Sequence, residues 1–196
     1  MTNLKQIPQD LLERYEIHNF RHALSIFSED YNEEFLEFLN LLRSFTITET
    51  EIKTPGGRKS PIAQKFDTYL YERRWKEKKW DISIEVDGKK KESPTHAVDY
   101  CKEGIAIELE WNNKDPFYDR DLNNFRLLHQ LGIIGIGVIV TRSDNLQEVF
   151  NKLGKGKSYG ASTTHMGKLL PKILGGGAAE CPLLVIGIKK EAVKQI

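Results

Sequence analysis

The segment Asp99-Tyr-Cys-Lys-Glu-Gly-Ile-Ala-Ile-Glu108-Leu-Glu110 carries three acids whose spacing suits metal chemistry. Side chains alternate on a strand, so Glu108 and Glu110 project from one face while Ile107 and Leu109 project from the other, into a core. Two carboxylates about 7 Å apart on one face repel unless a cation lies between them. Asp99, arriving from a preceding strand or turn across the short Lys-Glu-Gly connection, can supply a third. Three oxygen donors converging at a sheet edge suit Mg²⁺, which takes a few carboxylates, water and substrate phosphate oxygens. Such an ion polarises a phosphate and acidifies a bound water. The pattern predicts Asp99 and Glu108 as direct ligands, with Glu110 orienting the water.

An E-x-E on a strand is ordinarily a solvated face in a chain with 28 acids. Here the neighbouring elements argue against that. GIAIELEW alternates with period two, as does the earlier DISIEVDG, and the two are expected to pair, joined by the polar KKKESPTHAVDYCKEG. Tyr118 to Leu131 is helical in spacing, with Phe125, Leu128 and Leu131 on one side, and GIIGIGVIV has the continuous apolar character of a strand buried on both faces. Strand, crossover helix and buried strand make a βαβ unit, so the sheet is at least partly parallel.

Upstream, Leu11 to Phe45 reads as one interrupted helix or two, ITETEIK as a strand or extended arm, TPGGRKSP as a turn-rich loop, and Ile62 to Trp75 as a helix opened by Pro61. Downstream come a helix around Leu146 to Leu153, a polar loop over residues 151–165, a helix from Met166 to Ile173, the strand PLLVIGI and a charged tail expected to be exposed. The 196 residues are therefore read as one α/β domain, a central mixed sheet of five to six strands flanked by helices. Residues 1–60 form its N-terminal helical and arm region, and 61–190 its core.

With Lys+Arg 29 against Asp+Glu 28, the formal charge is only +1, so any nucleic-acid contact must rest on local charge. The polar TNLKQIPQD after Met1 and the shortness of the longest apolar run predict neither export nor a membrane span. Cys101 and Cys181 lack disulfide or zinc spacing and are read as buried thiols.

The stretch from Asp99 through eight residues to Glu108-Leu-Glu110-Trp resembles the active-site segment of the BglII, BstYI and BamHI restriction endonucleases of the PD-(D/E)XK superfamily. So does the order of AIELEWNNKDPF, the following helix, GIIGIGVIV and PLLVIGI, and the earlier SPIAQKFDTYLYERRWKE; the likeness spans roughly residues 15–190. It implies a restriction-endonuclease-like core and type II cleavage of double-stranded DNA, with Mg²⁺ held by Asp99 and Glu108 and with Glu110 where the superfamily usually has lysine. It also implies a palindromic site of four to six base pairs, often GATC-centred, a cognate DNA methyltransferase in the same system, and a prokaryotic, cytoplasmic setting. On the helix after Pro61, where the family often places an Asn or Glu near the metal, this chain has Lys65 with Gln64 beside it.

Lys53, Arg58, Lys59 and Lys65 before the motif, and Lys155 and Lys157 after it, are candidates for phosphate contacts. Lys76 to Lys79 and Lys89 to Lys91 abut acids and are read as solvated surface. Lys157, Ser158, Tyr159, Ser162, Thr163, Thr164 and His165 form the best candidate for base readout, because short polar side chains and glycines allow close approach to a groove. Asn112, Asn113 and Lys114 form a second. Cutting both strands of a palindrome requires two sites related by a two-fold axis, which predicts a homodimer contacting through the crossover helix and the N-terminal helices. The rival readings are a structure-specific repair or junction nuclease, and a non-catalytic DNA-binding domain.

Overall fold

A computed structural model describes residues 4–54, 59–93 and 95–194. The chain opens with α1 (Gln9–Arg14), β1 (Tyr15–Phe20), α2 (Ala23–Asp30) and α3 (Asn32–Ser44). Next come β2 (Ile47–Thr48), α4 (Glu49–Lys53) and α5 (Pro61–Glu72), then β3 (Lys76–Lys78), β4 (Ile82–Val86), β5 (Lys89–Ser93), β6 (Val98–Lys102) and β7 (Ile105–Glu110). The remainder is α6 (Phe117–Gln130), β8 (Ile136–Arg142), α7 (Gln147–Lys152), α8 (Met166–Leu174), β9 (Leu183–Ile188) and β10 (Val193–Lys194).

Six strands form one mixed sheet in the order β1-β9-β8-β7-β6-β3. β7, β8 and β9 run parallel, and the outer strands are antiparallel to their neighbours. Every residue of these three central strands is buried, because helices cover both faces. Ile107, Val138 and Leu184 lie in register and face the core beneath α2, α3 and α5. Ala106, Ile139 and Val185 face the other way, toward α6 and α8. Glu108 and Glu110 share the second face, so the alternation read from the sequence holds, with the acids turned toward a helix rather than toward water.

The local starts of these elements follow from side-chain chemistry. Ser60 Oγ accepts the Ala63 N–H at 3.1 Å with Pro61 in the first turn, which fixes the entry of α5. Glu103 and Gly104 both have positive φ, as a two-residue hairpin turn requires, and join β6 tightly to β7.

Several expectations are corrected. DISIEVDG does not pair with β7: Asp87-Gly88 closes it into a separate hairpin, β4 with β5, and the partner of β7 is β6. Tyr15–Phe20, expected within a helix, is a strand along β9 with its own alternating burial. ITETEIK becomes a strand of two residues and then a helix, because Thr48 and Glu51 form a reciprocal capping box. The charged tail keeps Glu191 and Lys194 exposed while Val193 and Lys194 pair with β2, and Leu131, grouped with Phe125 and Leu128 on one side of the crossover helix, is 52% exposed just beyond its end. Both cysteines are free, with Cys181 buried and Cys101 half-buried. Among the described residues no helix is long and apolar enough to cross a membrane.

The approach of α6 to the sheet depends on one missing side chain. A Cβ on Gly137 would lie 2.5 Å from Phe125 and 2.8 Å from Leu183. Gly137→Ala is therefore expected to lower stability by about 1–3 kcal/mol, the usual cost of overpacking. A urea midpoint equal to that of the unsubstituted protein, at equal slope, would count against this account of the packing.

Candidate active site

The β6–β7 ladder stops at the acids. Tyr100 pairs with Ile107, but one step further the backbone bonds give way to side chains. Asp99 N–H donates to Glu108 Oε2 at 3.2 Å, and Leu109 N–H donates to Asp99 Oδ2 at 3.0 Å. This reciprocal pair splays the strands and holds Asp99 beside Glu108. Burial raises the Asp99 carboxyl above its ordinary range, against the opposing bond from Leu109.

On the α6 side, Glu108 Oε1 meets His96 Nε2 at 3.1 Å, and the same nitrogen lies 3.0 Å from Asp121 Oδ1. Glu108 is 1% exposed and Asp121 0%, both far drier than the ordinary acid. Asp121 Oδ2 is buried with no hydrogen-bond donor among the described residues. Glu110 lies within hydrogen-bonding reach of Asp121, and burial together with that neighbour pushes its carboxyl up to about 9. Burial, then the nearby Asp121 and Asp99 carboxylates, raises Glu108 well above its usual value. The cationic side chain in contact with this group is Arg120, half-exposed, 2.9 Å from Asp121 Oδ1 and 3.9 Å from Glu110 Oε1.

Two acceptor oxygens face each other stably only with a proton or a cation between them. Ligand atoms of His96, Glu108 and Asp121 all lie within 4.8 Å of one another, which fits a divalent ion. The set differs from the expected one. Asp99 is joined to it through Glu108 instead of belonging to it, and Glu110 adjoins it through Asp121. His96 and Asp121 escaped the sequence reading. Asp121 left a signal, an acid at helical spacing with Phe125 and Leu128 on an otherwise apolar face; His96, in a loop, left none.

Asp99 also opens onto a cleft of about 390 Å³ bordered by Lys59, Ser60, Asp67, Glu77, Asn112 and Asn113. Ser60, Ala63, Asp67 and Tyr71 form the face of α5 that lines it. Lys59 pairs with Asp67, which also accepts from Tyr100 Oη at 2.8 Å. Asp67 is thus the acid that α5 presents to the cleft, and the spacing 60, 63, 67, 71 was its signal. Lys65 faces elsewhere, its Nζ 2.7 Å from Thr46 O and 2.6 Å from Glu51 Oε1, and Gln64 is exposed.

The residues expected to touch DNA divide into two groups. Lys59, Asn112, Asn113 and Lys114 gather around the cleft mouth and the turn after β7, while Lys157, Ser158 and Ser162 are exposed and Lys155 half-exposed on the loop before α8. Tyr159 is core, stacked on Phe150 at 4.0 Å, and Thr164 is fully buried. Thr163 bonds to Gly160 O at 2.7 Å, and His165 Nδ1 lies 2.6 Å from Asp144 Oδ1. Arg58 lies outside the described residues.

A mixed sheet with parallel strands at its centre, helices on both faces and acids on the strand before the crossover helix defines the restriction-endonuclease-like class of α/β protein. The family described as Restriction endonuclease BglII/BglIII matches residues 15–188, and the chain belongs to it. It is accordingly a DNA-binding hydrolase, a restriction endonuclease. No curated protein matches the chain.

Two outcomes are expected. Mg²⁺ or Mn²⁺ raises the melting temperature, Glu108→Gln removes that increment, and in EDTA the Glu108→Gln protein melts at or above the unsubstituted one because a crowded acid has become neutral. A cation-dependent rise that survives Glu108→Gln would place the ion elsewhere. Burial raises the Glu51 carboxyl, but bonds from Lys65 and from Thr48 outweigh this and leave it below the ordinary glutamate range. A lowered folded pKa contributes stability above the unfolded value that is lost as pH falls through the folded one. The deficit of Glu51→Gln should therefore be full at neutral pH and shrink below about pH 4; a deficit constant with pH would contradict it.

Proposed function

We propose that the chain is a Mg²⁺-dependent type II restriction endonuclease that cleaves both strands of a short palindromic duplex site as a homodimer, with Asp99, Glu108 and Glu110 as its catalytic acids. The observation that carries this reading is the carboxyl cluster behind the splayed end of β6 and β7, opening through Asp99 onto a cleft with Lys59 and Asn113 at its rim. When bound, a divalent ion supplies a Lewis acid for the scissile phosphate and a more acidic water. Glu108, with oxygens directed both to Asp99 and to the His96–Asp121 pair, is the ligand common to either side. His96 brings an imidazole nitrogen, a donor that first-row transition ions take more readily than Mg²⁺ does.

Asp99 Oδ2 is fixed by the Leu109 amide and presents the carboxylate to the phosphate from the cleft side. Glu110, whose carboxyl is pushed up to about 9 by burial and by Asp121, would take a proton from the attacking water once a cation beside it favours the charged form, and it orients that water by hydrogen bonding. Lys59 at the rim neutralises a phosphate, and its pairing with Asp67 holds it there in the absence of DNA. Lys114, Lys155 and Lys157 add backbone contacts, and Ser158, Ser162 and Asn113 meet base edges. A GATC-centred site and a partner methyltransferase follow from the family resemblance. The helices α6 and α3 are the surfaces for a two-fold contact.

With Mg²⁺, plasmid DNA should give discrete fragments whose sequenced ends share one palindrome. Glu108→Ala should cut at least about 100-fold more slowly, as expected for a lost metal ligand, yet still retain duplex in a gel shift. Nicking without discrete fragments would favour a structure-specific nuclease, and no cleavage by either protein would leave a binding domain. Sedimentation should give the mass of two chains; a monomer with and without DNA would refute the two-fold arrangement.

A further inference from the structure

Among the hydrogen bonds of the acid cluster, one leads out to the loop before α8. Asn113 Nδ2 donates to Glu110 Oε2 at 2.9 Å, closer than Arg120. Asn113 is itself held at both ends of its backbone: its N–H donates to Thr164 Oγ1 at 3.2 Å, and its carbonyl accepts from Thr164 N–H at 2.8 Å. The pairing continues through a bridge between Lys114 and Thr163, and Asp115 N–H donates to Ser162 O at 3.2 Å. Residues 113–115 and 162–164 thus form a short antiparallel zip between the turn after β7 and the loop.

Arg142, at the end of β8, secures the loop side. It is 2% exposed, and its Nε donates to the Thr164 carbonyl at 2.8 Å. Its two amino groups donate to Gln147 Oε1 and Thr163 Oγ1. A buried guanidinium engaged by neutral acceptors is costly to desolvate and is well placed to fix a backbone. A cavity of about 440 Å³ bordered by Arg142, Asp144, Gln147, Gly156, Gly160 and His165 lies under the same loop. The paired backbone bonds mean that any displacement of Ser162 to Thr164 would be passed to Asn113.

We propose, resting on the nuclease reading above, that Asn113 is a positioning residue for Glu110 and that Thr164 is its anchor. Contact of the loop with DNA is thereby conveyed to the carboxyl that orients the water. The backbone of Glu110 is pinned independently, its carbonyl accepting from Thr141 Oγ1 at 2.8 Å, so what the zip governs is the side chain.

The test compares Thr164→Val, which keeps the shape and loses Oγ, with Thr164→Ser, which keeps Oγ, and with Asn113→Ala. On a duplex bearing the mapped site, Thr164→Val and Asn113→Ala should each lower kcat by about tenfold or more, the scale of a misplaced group, with KM within about twofold for Thr164→Val, whose side chain is buried away from DNA. Thr164→Ser should restore kcat, and the Thr164→Val/Asn113→Ala double variant should be no slower than the worse single one, because both act through Glu110. Unchanged kcat in Thr164→Val, additive losses in the double variant, or no rescue by serine would overturn the proposal. Asn113 is exposed, so Asn113→Ala carries the test should Thr164→Val fail to fold. Mn²⁺ affinity, followed by calorimetry on each protein, is read in parallel: both variants should bind more weakly, with Thr164→Ser restored. If the unsubstituted protein cuts no DNA, the nuclease reading fails, and unchanged Mn²⁺ affinity would then sink the positioning role separately.

Discussion

The structure is organised around a shortage of positive charge in a dry place. Glu108, Glu110 and Asp121 are sealed between the sheet and α6, with the His96 ring, the Asn113 amide and a half-exposed Arg120 as the neighbouring nitrogen groups. Like charges there cannot all persist without a proton or a cation, so the interior is poised to take one up. The surrounding architecture holds the acids in that position. Three parallel strands bury the β7 backbone on both faces, the missing side chain at Gly137 lets α6 come close, and α6 in turn delivers Asp121.

Most of this frame was legible in the sequence. The alternation of GIAIELEW, the apolar run of β8 and the helix between them gave the βαβ unit and the face shared by Glu108 and Glu110, because period two and continuous burial are local properties. The two-residue turns were equally local: Asp87-Gly88 marks the β4–β5 hairpin, and giving DISIEVDG to β7 ignored a signal already present. Thr48 and Glu51 likewise spelled a helix start inside what looked like a strand.

The site was legible only in part, and for a different reason. Asp99 and Glu108 adjoin because the strands bearing them are joined by two residues. His96 and Asp121 meet Glu108 from a loop and a helix, a juxtaposition that exists only after packing. The loop before α8 shows the same limit. Its composition marked it as polar and accessible, yet Tyr159 turns inward to stack on Phe150, and Thr164 turns inward to hold Asn113 while its carbonyl, with the Thr163 hydroxyl, accepts from the buried Arg142.

The strand order has a consequence for how bulky a reactant the protein can serve. β6 lies one strand in from the sheet margin, and the strand outside it, β3, is three exposed residues long. Asp99 on β6 therefore stands one short strand from the rim of the molecule, where a rigid rod can be approached from the side, with Glu108 and Glu110 one strand further in. A double helix need not be swallowed or unwound: one sugar-phosphate ridge can settle against the flank while the rest stays outside.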